Sequence, residues 1–182
     1  MLKANFITAQ EAAEKIQDGS ILCTIGMTLV SASESILKAI EKRFETVGHP
    51  ADITLVHSCG QSDRKDGIQH LAHEGLVKRI VGSHWGLQPR WMEMIANSQV
   101  EAYCLPQGQI AQLYRSMACG LPGKMSKVGL GTFIDPRVEG GKMNDRTKPL
   151  PDLVDILEYG GEEYMFYKEI PLDTVLIRGT VC

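Results

Sequence analysis

The sequence lacks the features that mark membrane-spanning, secreted and nucleic-acid-binding proteins. No apolar run approaches the ~20 residues that cross a bilayer, and the segment from Met1 to Phe6 lacks the apolar core of a signal peptide. The formal net charge is only −3, whereas nucleic-acid-binding domains usually carry a basic excess. We therefore expect a cytoplasmic protein with no membrane and no nucleic acid among its partners.

Paired cysteines are also missing, although the chain contains five cysteines. Their number is odd, their spacing is wide and no CxxC pair occurs, whereas a disulfide framework or a structural zinc site needs paired spacing. No HExxH pattern surrounds His73 or His84, so we expect no metal site. Cys23 and Cys104 lie in apolar runs and are predicted to be buried thiols, while Cys59 lies in a loop-like stretch.

The composition that is present is typical of one folded domain. The 182 residues are 43% hydrophobic and 23% charged, which argues against global disorder. The chain stops at Cys182, directly after a strand-like stretch and without a polar tail or linker. We therefore expect a single domain over residues 1–182, either cut at its C-terminal end from a longer polypeptide or forming one half of a two-chain protein.

The first two thirds of the chain alternate between helical and strand-like patterns. Thr8 and Glu11 have the spacing of a capping box that starts a helix. This alternation predicts an α/β fold with an open, mainly parallel sheet and helices on both faces. The strand-like runs lie at 21–25, 53–56, 80–81 and 100–105, and the helical patterns after the first helix lie around 36–40, 91–95 and 108–117.

The last third of the chain has a different pattern. Residues 119–150 are rich in glycine and proline and are predicted to form long, ordered loops. Strand-like stretches follow at 153–157, 164–167 and 174–177, without long helices between them.

Two glycine-containing loops are candidate ligand sites. In residues 128–142 the glycines could let backbone amides approach a phosphate, but the spacings of a Walker loop and of a dinucleotide fingerprint are missing. A structural loop at the sheet edge is the alternative. Residues 26–31 follow the first strand, where open α/β sheets bind ligands and a helix N-terminus attracts anions. A plain strand-to-helix turn capped by Ser31 or Ser33 is the alternative there.

A third candidate is Gln107, which lies between a strand-like run and a helical pattern. Its neutral amide could donate a hydrogen bond to a carbonyl oxygen, or the segment could simply cap the helix. The sequence contains no convincing Ser-His-Asp or Cys-His set, so residue types alone assign no nucleophile.

Six motifs follow one another along the chain: AHEGLVKR at 72–79, GSHWG at 82–86, PQG at 106–108, VGLGTFIDPR at 128–137, GGKMND at 140–145 and LIRGT at 176–180. In this order they resemble the N-terminal part of the family I coenzyme A transferases, in particular the fused acetate or propionate type. The likeness covers essentially the whole chain, and the run Gly131 to Arg137 is quite specific.

The resemblance implies the CoA-transferase type of domain and the exchange of coenzyme A between an acyl thioester and a free carboxylate. In the family, a glutamate in a Glu-x-Gly motif of the C-terminal half forms a glutamyl-CoA thioester, so we expect no catalytic residue in this chain. Glu74 lies in a different motif and is not expected to be the nucleophile. Coenzyme A thioester would be a substrate rather than a permanently bound cofactor. The partner would be the C-terminal half or a second copy of the chain, and the chain alone is predicted to have negligible transferase activity.

The resemblance also implies which residues line the substrate pocket. Gln107 would contact the acyl oxygen or the carboxylate. Gly26, Met27 and Thr28 would help to form the acyl pocket, and Cys59 would line it.

Two positions depart from the family pattern, because Leu29 stands where the family usually has glycine and Ser33 stands where it has proline. Leucine adds bulk and restricts the backbone, which changes the shape of the pocket. Two alternatives also stay open. One is a catalytically inactive remnant, and the other is a sugar-phosphate isomerase or sensor of similar architecture.

Overall fold

The computed structural model describes residues 4–179, and Thr180 and Cys182 lie outside the described residues. The first helix begins at the predicted capping box, in which the Thr8 hydroxyl accepts from the Glu11 amide at 3.2 Å and the Glu11 carboxylate accepts from the Thr8 amide at 2.7 Å. In chain order the elements are α1 (Ala9–Glu14), β1 (Ile21–Thr24), α2 (Glu34–Val47), β2 (Ile53–His57), a 3₁₀ helix (Gly67–Leu71), β3 (Val77–Gly82), α3 (Pro89–Ala96), β4 (Glu101–Cys104), α4 (Gln107–Ala118), β5 (Gly123–Ser126), β6 (Val154–Tyr159), β7 (Glu162–Lys168) and β8 (Thr174–Leu176).

The larger sheet is parallel throughout, which confirms the predicted fold class. Its strand order is β4-β3-β2-β1-β8. The chain therefore builds the sheet outward from β1 to β4 and then returns to place β8 on the other side of β1. The strand order reverses between β1 and β8, and in open α/β sheets such a reversal leaves a crevice at the carboxyl ends of the two strands.

Alternate residues of each strand point to opposite faces of this sheet. Both faces are apolar, and helices pack against each of them. One core contains Leu22 and Leu55 of the sheet, packed against α1, α2, α3 and the 3₁₀ helix. The other core contains Cys23 and Val56 of the sheet, packed against α4 and the strands β6 and β7. Both faces are apolar in β1 and β2, which is why these strands are continuous apolar runs in the sequence.

The last third of the chain differs from the prediction in two respects. Residues 119–150 are not loop throughout, since Gly123–Ser126 forms β5. Of the three predicted strands, only β8 joins the parallel sheet, while β5, β7 and β6 form a separate antiparallel sheet in that order. The sequence Gly-Lys-Met-Ser of β5 is short and lacks strand-forming residues, so its pairing with β7 decides its conformation.

Candidate functional site

The loops that follow the parallel strands meet at one edge of the sheet. Residues 25–33 follow β1, residues 58–62 follow β2, and residues 177–179 follow β8. Because β1 and β8 flank the reversal of strand order, the crevice lies between the first and the last of these loops.

Two cavities occupy this crevice, and Arg178 lines both of them. The larger cavity, of about 510 Å³, lies between residues 32–36 at the start of α2 and residues 177–179 after β8. The smaller cavity, of about 390 Å³, is lined by residues 28–31 and Arg178. Ser33 precedes α2 and makes no side-chain capping bond, so the positive end of the helix dipole faces the crevice without a side-chain cap. A guanidinium beside a helix N-terminus suits a carboxylate or a phosphate.

The loop after β1 has a strained backbone. Gly26 has no room for a side chain, since a Cβ there would lie 2.8 Å from the carbonyl oxygen of Val30. Thr28 and Ser31 have φ angles of 51° and 63°, in the left-handed region that disfavours side chains. The amides and carbonyls of Met27 and Val30 exchange hydrogen bonds of 3.0 and 2.9 Å and close the loop. Strained backbone of this kind is concentrated at ligand-binding sites.

The predicted pocket residues after β1 and β2 lie next to each other. The Thr28 amide donates to the carbonyl of Gly60 at 2.9 Å, which places half-buried Cys59 beside the loop after β1. A Cβ on Gly60 would lie 2.8 Å from Nδ1 of His84, which is exposed in the loop after β3. Gly26, Met27, Thr28 and Cys59 therefore belong to one cluster at the carboxyl edge.

Gln107 lies apart from this cluster. It is the exposed first residue of α4, directly after β4, and β4 is three strands away from β1. At the usual spacing of parallel strands the separation is ~14 Å. Among the cavities formed by the described residues, neither of the two in the crevice is lined by Gln107. A ligand touching both Gln107 and Arg178 would have to extend along the sheet edge.

The second glycine-containing loop has the geometry of the structural alternative. Buried Asp135 accepts hydrogen bonds from the Gly131 amide at 2.9 Å and from the Arg137 side chain at 2.8 Å. These hydrogen bonds, first of all those from Arg137, hold the pKa of Asp135 far below its usual range. The Gly141 carbonyl accepts from the Cys104 amide at 2.7 Å, so the loop covers the free edge of β4. Its polar groups are thus used within the fold.

A cluster of ionisable side chains lies between α2 and the 3₁₀ helix. His70 hydrogen-bonds to Glu41 and, at 2.8 Å, to Glu34. Burial alone would lower the pKa of His70, but these hydrogen bonds raise it above its usual value. Ligand atoms of Glu34, Asp66 and His70 lie within 4.8 Å of one another. However, the Lys38 ammonium lies 3.1 Å from Glu34 and 3.3 Å from Asp66 and supplies the positive charge.

The cysteines in apolar runs are buried to different degrees. Cys23 is completely buried, as predicted, whereas Cys104 is only partly buried. Burial raises the pKa of both thiols above the usual value, so neither is an activated nucleophile.

Sequence reasoning missed Arg178 and His57 as site residues. Arg178 follows β8, and its importance depends on β8 pairing with β1, a long-range contact that no local pattern predicts. His57 is the last residue of β2 and is completely buried, although the predicted strand ended at residue 56 and the residues after it resemble a loop. A polar residue at the carboxyl end of a buried strand was the available signal.

The fold and the crevice define an open α/β domain in which the cavities at the carboxyl ends of the strands have a lining that suits a small anion. Residues 6–182 match the family model described as coenzyme A transferase, and the chain belongs to this family. It corresponds to the N-terminal part of the fused members.

Several relatives of known identity are similar over nearly the whole chain. The caffeate CoA-transferase of Acetobacterium woodii is 43% identical over 97% of this chain and 34% of its own length. The acetate CoA-transferase YdiF of Escherichia coli K12 is 38% identical over 97% of this chain and 33% of its own length. The crystal structure of the acyl-CoA transferase from E. coli O157:H7 in a thioester complex with CoA is 36% identical, with a TM-score of 0.88 over 96% of this chain and 34% of that one.

The chain spans about a third of the length of these relatives. Within residues 4–179, no helix is both long and apolar enough to cross a membrane.

Proposed function

We propose that this chain supplies the carboxylate-binding wall of a short-chain acyl-CoA:carboxylate CoA-transferase. The observation that carries the proposal is the crevice between β1 and β8, where Arg178 and the start of α2 meet the strained loop after β1. The loop belongs to a chain that matches the family model from residue 6 onward. Acetate and caffeate transferases among the relatives support a carboxylate as the ligand.

The residues of the crevice have separate roles in this proposal. Arg178 binds the carboxylate through charge-assisted hydrogen bonds, and the first turn of α2 adds backbone amides to it. Gly26, Met27 and Thr28 shape the acyl pocket, which Cys59 flanks. Gln107 follows β4, four strands from β8 and therefore ~19 Å along the sheet edge from Arg178, so a short-chain acyl group bound at Arg178 does not reach it.

The reaction proceeds by two exchanges at a glutamate of the remaining part of the transferase. The glutamate carboxylate attacks the acyl-CoA carbonyl and displaces the CoA thiolate, which leaves an acyl-glutamyl anhydride. The thiolate then attacks the glutamyl carbonyl of the anhydride, so the first carboxylate departs and a glutamyl-CoA thioester remains. A second carboxylate reverses both steps and leaves as its own CoA thioester. Coenzyme A is therefore a substrate, and no permanently bound cofactor is needed.

The partner in this proposal is a polypeptide that carries the remaining two thirds of a fused transferase. The relatives are about three times as long as the region they share with this chain. The crystal structure with a CoA thioester supports a covalent CoA intermediate in such a protein.

The experiment compares the chain alone with the chain co-expressed with the unmatched part of the A. woodii caffeate CoA-transferase. Transfer of CoA from acetyl-CoA to propionate is followed by mass spectrometry. We expect no turnover by the chain alone and steady turnover by the co-purified pair. The proposal is contradicted if the two parts do not co-purify, or if the purified pair transfers no CoA.

Arg178→Gln is the variant that tests the carboxylate site in this pair. Loss of the guanidinium is expected to raise the KM for propionate about tenfold, since a charge-assisted hydrogen bond supplies on the order of 1.4 kcal/mol. Arg115→Gln removes an exposed arginine of α4 and is the matched control. An equal KM in both variants would remove Arg178 from the site.

A further inference from the structure

His57 is a completely buried histidine at the carboxyl end of β2. Its Nδ1 lies 2.7 Å from the carbonyl oxygen of Cys59, and a carbonyl only accepts hydrogen bonds, so Nδ1 carries the proton. Its Nε2 is buried without a hydrogen-bond partner among residues 4–179. Burial lowers the pKa of His57 to about 4, which keeps the imidazole neutral near pH 7.

Packing alone does not explain a histidine at this position. A buried acceptor without a partner destabilises a fold, and an aromatic ring without nitrogen atoms would avoid that cost. The ring fits closely against Gly82, where a Cβ would lie 2.4 Å from Nε2. What histidine supplies beyond a phenylalanine of similar shape is the Nδ1–H that binds the Cys59 carbonyl.

The hydrogen bond of His57 is the first of a short series that leads to the crevice. It fixes the peptide between Cys59 and Gly60, and the next carbonyl along the chain, that of Gly60, accepts from the Thr28 amide at 2.9 Å. Thr28 is one of the two strained residues of the loop after β1. The carbonyl that His57 binds and the carbonyl that binds the strained loop therefore belong to consecutive residues, Cys59 and Gly60.

Two further contacts tie the loop after β2 to its neighbours. The Ser83 hydroxyl donates to the Ser58 carbonyl, and the Gln61 side chain donates to the Thr24 carbonyl at 2.7 Å. These contacts hold the two ends of the loop. His57 alone among the side chains of residues 4–179 bonds to its middle, at Cys59.

We infer that His57 is a positioning residue, which orients the loop at residues 58–60 so that the Gly60 carbonyl holds Thr28 and the wall of the crevice in place. These hydrogen bonds do not depend on the proposed function, whereas their consequence for carboxylate binding rests on it. His57 does not touch the reacting atoms and acts through Gly60 and Thr28.

The direct test measures amide hydrogen exchange at Thr28 in the 182-residue chain by NMR. His57→Phe removes the donor and is expected to reduce the protection of the Thr28 amide about tenfold. His57→Asn keeps a donor near the position of Nδ1 and is expected to retain most of the protection. His49→Phe, at an exposed histidine near the opposite end of β2, is the matched control. Equal protection in the wild type and His57→Phe, or equal loss in both His57 variants, overturns the inference.

A measurement on the unmutated protein covers the case in which His57→Phe fails to fold. Nitrogen-15 NMR of the imidazole is expected to show a protonated Nδ1 and an unprotonated Nε2 between pH 5 and 8. The opposite tautomer would break the bond to Cys59 and overturn the inference.

Turnover by the co-purified pair separates this inference from the proposed function. His57→Phe is expected to raise the KM for propionate severalfold with little change in kcat, and His57→Asn is expected to restore the KM. An active wild-type pair with an unchanged KM in His57→Phe overturns the role in binding. An inactive wild-type pair whose chain still shows the exchange difference overturns the proposed function and supports the positioning role.

Discussion

The two glycine-containing loops of this protein differ in what their polar groups do. In residues 128–141 the buried Asp135 carboxylate accepts hydrogen bonds from the Gly131 amide and the Arg137 side chain. In residues 26–31 the backbone is strained at Thr28 and Ser31, and residues 28–31 line the smaller of the two cavities together with Arg178. Glycine content therefore does not distinguish a ligand loop from a structural loop. The two loops are distinguished by their position relative to the reversal of strand order and by the presence of strained non-glycine residues.

The largest expected effect comes from removing the centre of the structural loop. Asp135→Ala leaves the Gly131 and Arg137 donors without their carboxylate and is expected to lower the free energy of unfolding by about 3 kcal/mol. Urea denaturation measures the change, with Asp145→Ala as the control, because Asp145 is exposed and its one ion pair within residues 4–179 is with Lys148. A loss no greater than in the control would mean that the polar groups of residues 128–141 are not structural.

The stability contributions of His57 and Asp135 are lost in different pH ranges as the solution is acidified. The pKa of His57 falls from 6.5 in the unfolded chain to about 4 in the fold, so the unfolded state binds the proton first as the pH drops. Stability is therefore lost between pH 6.5 and 4, by about 3 kcal/mol. Asp135, whose pKa is lowered, contributes stability that is lost only as the pH falls below its unfolded value of 3.8.

The acid prediction is measured as the difference in unfolding free energy between the wild type and His57→Asn across this pH range. The difference is needed because the raised pKa of His70 contributes with the opposite sign, stabilising the fold below pH 6.5 and losing that effect as the pH rises. A difference that does not change between pH 6.5 and 4 contradicts a neutral, buried His57.

Arg178 of the crevice and Arg137 of the structural loop give a crossed comparison. Arg178→Gln is expected to raise the KM for propionate about tenfold with little change in unfolding. Arg137→Gln is expected to lower the melting temperature and leave the KM unchanged, since Arg137 bridges Asp135 and Glu163. Both quantities, the steady-state KM for propionate and the melting temperature, are measured for each variant. A raised KM in Arg137→Gln, or an unchanged KM in Arg178→Gln, would contradict these roles.

The smallest expected effects concern backbone strain. Ser31→Gly relieves a left-handed residue and is expected to stabilise the fold by about 0.5–1 kcal/mol. Gly131→Ala introduces the same strain at a φ of 68° in an open position and is expected to cost about 1 kcal/mol. Thermal unfolding of both variants provides the check, and a destabilising Ser31→Gly would show that Ser31 makes a compensating contact.

Much of the fold follows from local pattern, and much of the site does not. The capping box of α1 and the apolar runs of β1 and β2 are short-range signals, so the parallel α/β architecture was predictable. The separate antiparallel sheet was not, because β5 is a strand only through its pairing with β7. Gly26, Met27, Thr28 and Cys59 were predicted together through the family resemblance. Arg178 joins them only because β8 pairs with β1, across about 150 residues of sequence.

The most direct test of the account is where a carboxylate binds on this chain. Propionate is titrated into the nitrogen-15-labelled protein, and the shifts of its amide and arginine signals are followed by NMR. We expect shifts confined to residues 27–36 and 177–179, with Arg178 among them, and none in residues 128–141. Shifts in residues 128–141 with an unchanged Arg178 would contradict this expectation.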